Sequence, residues 1–158
     1  MCEDDKLTIE QNAGRFLFGK GHCSVMNHYR LLEHTADMGV EGEAETLAAL
    51  FQLMAQGVMK IVTDCPDILA TQRIALQIEG ADIEDLLVGW LSEVLYLLEG
   101  REFLAADFQI DKIEDNHLEA AVYGELYDKN RHYLLREVKA VTYHQIKVKL
   151  VDGQWLGR

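Results

Sequence analysis

Five residues at the end of a short apolar run, Glu33, His34, Thr35, Ala36 and Asp37, place two carboxylates, an imidazole and a hydroxyl side by side. A carboxylate directly after a strand stands at a sheet rim with its oxygens free to point outward. That placement suits a hard divalent cation, which takes several oxygen ligands. The same residues also suit an Asx-turn closed by Asp37 with Thr35 as its helper. His34 fits a hydrogen-bonded turn residue as well as it fits a ligand or a proton donor. One carboxylate does not make a metal site, so the other ligands would have to come from elsewhere in the chain.

A second dense stretch is REVKAVTYHQIKVKL, residues 136–150. Lys139, Thr142, Tyr143 and His144 crowd into six positions of it. On a strand, Lys139, Val141 and Tyr143 would share one face and Ala140, Thr142 and His144 the other. A strand with one wet side accounts for the pattern as well as a functional rim does. Two other candidates carry less. The GKGH at 19–22 lacks the spacing of a phosphate-binding loop. Ser24 and Ser92 lack the glycine-flanked context of a nucleophile elbow.

The elements that would position these residues follow from periodicity. His28–Leu32 and Met38–Glu43 read as short strands on either side of the polar cluster. Thr46 can cap a helix in which Leu47, Leu50, Phe51, Met54, Val58 and Ile61 fall on one face. Asp64-Cys65-Pro66-Asp67 should end it, because Pro66 lacks a donor and restricts its neighbour. Ile74, Leu76 and Ile78 alternate with polar residues, as in a half-buried strand. Asp82 can cap a second helix with a broad apolar face from Ile83 to Leu98, closed at Gly100. Strands are then expected around Phe108–Ile110, Leu118–Leu126, 138–143 and Ile146–Leu150, with Asp115-Asn116 as a turn. Two helices set against five or six mostly antiparallel strands, in a sheet or sandwich, read as a single α+β domain.

The chain has 158 residues, enough for one core, and an ordinary balance of 49% hydrophobic and 27% charged residues. No apolar run reaches the length that spans a bilayer, and neither a secretory signal nor a membrane partner is expected. Cys2, Cys23 and Cys65 are odd in number and form no C-x-x-C pair. They are expected to be reduced thiols of a cytoplasmic protein. A net charge of −12 argues against stable nucleic-acid binding by the chain itself. The charge is uneven: residues 129–158 hold seven Lys or Arg against two acids. That excess suits basic strands paired across a sheet with acidic ones, or a docking face for an acidic partner or an RNA end. Residues 1–26 show no sustained period. They are expected to form a disordered or adventitious extension ahead of a domain over 27–158.

EHTAD at 33–37, ETLAALF at 45–51, DIEDLLVGWLSEVLYLLE at 82–99 and EVKAVTYH at 137–144 together resemble the archease family in order and spacing. The resemblance runs from about residue 28 to Trp155. It implies a small cytoplasmic α+β protein without a reaction of its own. The partner it implies is the RtcB-type RNA ligase, which joins 2′,3′-cyclic-phosphate or 3′-phosphate ends to 5′-hydroxyl ends in tRNA splicing and RNA repair. An archease promotes guanylylation of that ligase and repeated turnover. The family also has a divalent-metal site, described as calcium, which uses the aspartate of HTAD, here Asp37. The site's other ligands are an aspartate and the terminal carboxylate at the far end of the family's chains. This chain ends at DGQWLGR, so the domain is expected to be short of the family's last C-terminal residues and the metal site incomplete. His34, Lys139 and Tyr143 are expected on the same functional rim as Asp37. The reading from sequence is therefore an accessory protein of an RNA ligase. A metal-dependent enzyme acting on nucleotide or RNA ends, and a chaperone-like binding module, are the alternatives.

Overall fold

The computed structural model describes residues 27–33 and 37–158. Strands β1 (His28–Glu33) and β2 (Met38–Ala44) form an antiparallel hairpin whose register pairs Glu33 with Met38 at its tip. The hairpin lies at one side of a four-stranded sheet ordered β1-β2-β7-β6, completed by β6 (Val148–Val151) and β7 (Gln154–Gly157). A second antiparallel sheet has the order β3-β5-β4, from β3 (Gln72–Glu79), β4 (Phe103–Glu114) and β5 (His117–Leu126).

Helix α1 (Leu47–Val62) begins where Thr46 leaves the extended conformation and its Oγ1 accepts the Ala49 N–H at 3.1 Å. That bond satisfies one of the donors a helix start leaves open. Leu50, Phe51, Met54 and Val58 are buried along it, as the spacing predicts. The helix stops at Val62, just before the Pro66 segment. It packs on both sheets and is the element they share. Helix α2 (Ile83–Arg101) starts with Asp82 accepting the Asp85 N–H at 2.8 Å, and Asp85 in turn accepts the Ala81 N–H at 2.9 Å. Glu84 and Asp85 in the first turn also complement the helix dipole. Trp90 is fully buried between the helices. Its Nε1–H donates to the Phe51 carbonyl at 3.0 Å, and its ring meets Phe108 edge-on.

Three expectations change. Gly100 does not close α2. It lies inside the last turn, and Glu102 takes the left-handed cap at φ 51°, bonding back to Leu98 at 3.0 Å. Seven strands are present among the described residues, because Gln154–Gly157 forms β7. A four-residue strand after the Asp152-Gly153 hairpin turn is too short to show a period, although both turn residues have the positive φ that such a turn requires. Finally, 138–143 is not a strand. Val138 and Val141 pack against the core at a spacing of three, while Lys139 and Tyr143 stay exposed. The segment has no ladder partner, and its packed residues do not follow a period of two.

Candidate functional site

The β1–β2 tip is built from charge. Glu33 and Met38 close the paired region, and Asp37 is exposed beside them. His34 lies outside the described residues. Arg136, from far along the chain, reaches the tip: its Nη2–H donates to Glu33 Oε1 at 3.2 Å, and its Nη1 lies 3.7 Å from Met38 Sδ. Both partners of the ion pair are more than half exposed, so the pair positions the tip more than it stabilises the fold.

Arg136 is delivered by a stretch with neither helix nor strand, residues 127–147. Its first anchor is Glu125, a buried carboxylate at the end of β5. Arg131 grips Glu125 with both guanidinium nitrogens, at 2.7 and 3.2 Å. The Leu69 N–H donates to it at 2.7 Å, and His132 Nε2 lies 3.1 Å away. His132 Nδ1 accepts the Asp128 N–H at 3.0 Å, so the ring proton sits on Nε2 and points at the carboxylate. Arg131 first, then the Leu69 N–H, hold the Glu125 carboxyl down to about 2. The second anchor is the end of α1. Thr63 Oγ1–H donates to the Tyr133 carbonyl at 2.7 Å, the Tyr133 N–H donates to Cys65 Sγ at 3.2 Å, and the Leu135 N–H donates to the Val62 carbonyl at 2.8 Å. The last anchor is at the start of α2, where the Tyr143 hydroxyl donates to Asp85. That bond pushes the Tyr143 hydroxyl up and the Asp85 carboxyl down.

The residues singled out in the sequence therefore divide. Asp37 stands at the tip with Glu33, Met38 and Arg136 for company. Lys139 is exposed farther along the stretch. Tyr143 binds the opposite end of α2 from the Leu98 turn that Arg136 adjoins. Thirteen residues separate Asp85 from Leu98, roughly 20 Å along a helix. The parts played by Arg136 and by Asp85 toward Tyr143 carried no signal in the sequence, because each acts through a partner distant along the chain; Glu125, Arg131 and His132 lie within eight positions but follow no helix or strand period. Among the described residues, no three His, Cys, Asp or Glu side chains gather in a way that would hold a metal ion. Asp37 supplies one carboxylate, and Glu33 is engaged by Arg136. The described residues thus do not complete a cation site. No helix among them is long and apolar enough to cross a membrane.

Comparison with known proteins bears on the whole domain. The model of the archease protein family matches residues 29–158. The archease of Pyrococcus furiosus is 35% identical over 138 residues, covering 84% of this chain and 96% of that protein. The archease of Methanosarcina mazei is 33% identical over 131 residues, covering 80% and 90%. Among solved structures, protein 1598 of Methanobacterium thermoautotrophicum superposes with a TM-score of 0.71 at 26% identity, covering 82% of this chain and 94% of that one. A Thermotoga maritima protein described as an archease and possible chaperone shares the fold, with a TM-score of 0.51 at 19% identity over 80% and 90% of the two chains.

Proposed function

The chain belongs to the archease family, and on that premise we propose that it is an accessory factor of an RtcB-type RNA ligase in the cytoplasm. In this reading it promotes guanylylation and repeated turnover of the ligase in tRNA splicing or RNA repair, and is not itself the enzyme. The observation that supports the reading is the join made by Arg136. Two stretches that carry the family resemblance, 33–37 and 137–144, are separated by about a hundred positions. Arg136, next to the second, bonds to Glu33 and touches Met38 on either side of the first. Glu33 and Asp37 are exposed carboxylates, and Arg136 is paired with the first of them, a charged surface suited to contact with a partner.

Calcium is part of the same proposal, with Asp37 as its contact and His34 and Lys139 as neighbours. Since the described residues offer Asp37 without a gathered set of further ligands, the proposed binding is weak. The deciding experiment mixes the protein with its cognate ligase, GTP and excess RNA bearing cyclic-phosphate and 5′-hydroxyl ends. Several ligations per ligase molecule are expected with the protein present, against about one without it. A labelled guanylate that attaches to this chain in the absence of ligase would favour an enzyme over an accessory factor.

A further inference from the structure

A cleft of 350 Å³ lies between the C-terminal ends of the two helices and residues 134–138. Its floor is apolar, formed by Val62, Leu95, Leu98, Tyr127, Leu135 and Val138. Three exposed carboxylates stand around it, Glu99, Glu102 and Glu137. Among the described residues that line it, the one cation is Arg136, which is bonded to Glu33. Leu134 and Leu135, which both line it, are 43% and 53% exposed, so the cleft carries two consecutive leucines open to solvent.

We propose that this cleft is the anchor site for a partner-protein segment carrying one or two apolar side chains flanked by lysine or arginine. The inference rests on the accessory reading above, in which the segment belongs to the ligase. The volume is at the low end for ligand pockets and fits one or two apolar side chains. The carboxylate rim selects the flanks: it attracts Lys or Arg and repels an acidic segment. The same rim turns away the phosphates of RNA, which would need cations there. Arg136 belongs to both the cleft and the tip. A partner seated in the cleft therefore lies beside the Arg136–Glu33 pair.

Two measurements test this. In the first, blocked hexapeptides Lys-Lys-Leu-Phe-Lys-Lys, Lys-Lys-Ala-Ala-Lys-Lys and Glu-Glu-Leu-Phe-Glu-Glu are titrated into ¹⁵N-labelled protein. The first peptide should move the amide signals of Leu98, Leu135 and Val138 and bind at least tenfold more tightly than either of the others. Equal responses to all three, or shifts confined to other surfaces, overturn the proposal. In the second, Leu135→Ser and the double variant Glu99→Lys/Glu102→Lys are compared with the wild type in the turnover assay. Each should need at least tenfold more protein for half-maximal stimulation, with the stimulation at saturation unchanged. If the wild type stimulates the ligase and both variants match it, the cleft is not the anchor although the accessory reading stands. If the wild type fails to stimulate, the accessory reading falls and the peptide titration decides the cleft alone.

Discussion

Replacing Gly57 with alanine sets two effects against each other at a place that bears on the tip. In an open helix the change should stabilise by about 1 kcal/mol, because glycine has the larger backbone entropy to lose. Gly57 is not in the open. A Cβ built on it would lie 2.5 Å from Val40 Cγ1 and 3.3 Å from both Val40 Cγ2 and Tyr29 Cδ2. Carbons at rest prefer about 3.5–4.0 Å. Val40 cannot rotate clear, since both of its methyls face the helix and its χ1 is restricted by branching. A 2.5 Å approach to a methyl that cannot move belongs in the upper part of the range for overpacking, about 2–3 kcal/mol, so the clash wins and the net loss is about 1–2 kcal/mol. For a chain of this length that lowers the thermal midpoint by about 3–6 °C. Val40 lies in β2, three residues from Asp37, so the displaced strand should also move the amide signals of Asp37 and Met38. Calorimetry of Gly57→Ala, Val40→Ala and the double variant checks the cause. The double variant should be less damaged than the sum of the singles by about 1 kcal/mol or more, because Val40→Ala removes both clashing methyls. A rise in the midpoint for Gly57→Ala, or strict additivity, would refute the reasoning.

Three further outcomes are expected. Glu125 is held down to about 2, against an ordinary 4.5. Its contribution is therefore complete above the unfolded value near 4.5 and lost as pH falls toward 2. Between those limits the melting temperature of the wild type should fall more steeply than that of Glu125→Gln, and parallel slopes would remove Glu125 as an anchor. Asp82→Ala deletes the acceptor for the Asp85 N–H and should lower stability by about 1 kcal/mol. In urea titrations its midpoint should shift at constant slope, with Asp82→Asn close to the wild type. Calcium should bind on the order of 10⁻³ M, and Asp37→Asn should abolish that binding in calorimetric titration. Micromolar affinity in the wild type would mean that other residues complete a site around Asp37.

Most of the regular structure is declared locally in the sequence, the four-residue β7 excepted. Thr46 and Asp82 mark the helix starts because an N-cap is a local device, made by one side chain and a backbone group three residues on. Asp115-Asn116 marks a hairpin because both residues take the positive φ they tolerate best. The misses share another cause. The end of α2 shifted from Gly100 to Glu102, where the Glu102 carbonyl also accepts the Tyr127 N–H at 2.6 Å. That tertiary bond lies outside any local window. The strand expected at 138–143 failed because residue types say nothing about whether a neighbour supplies the ladder, and the residues that pack, Val138 and Val141, are three apart and do not share a strand face.

The same division explains why the candidate site was legible in its residue types but not in its arrangement. Asp37 and Tyr143 attracted attention as groups able to do chemistry. Their separation depends on where residues 127–147 run, and that stretch makes no helix or strand of its own. Its course is set by bonds to Glu125 on β5, to Val62 and Thr63 at the end of α1, to Glu33 at the hairpin tip and to Asp85 on α2. No periodicity encodes such partners. Apart from the Arg131–Glu125 pair, six positions apart, each is a single side-chain or backbone match between distant parts of the chain. A stretch held in this way can present exposed leucines, a paired arginine and a tyrosine at fixed positions without the alternation a strand would impose on them. Local rules are expected to fail first at sites shaped by function, and here they fail over the stretch that carries both Arg136 and the wall of the acidic cleft.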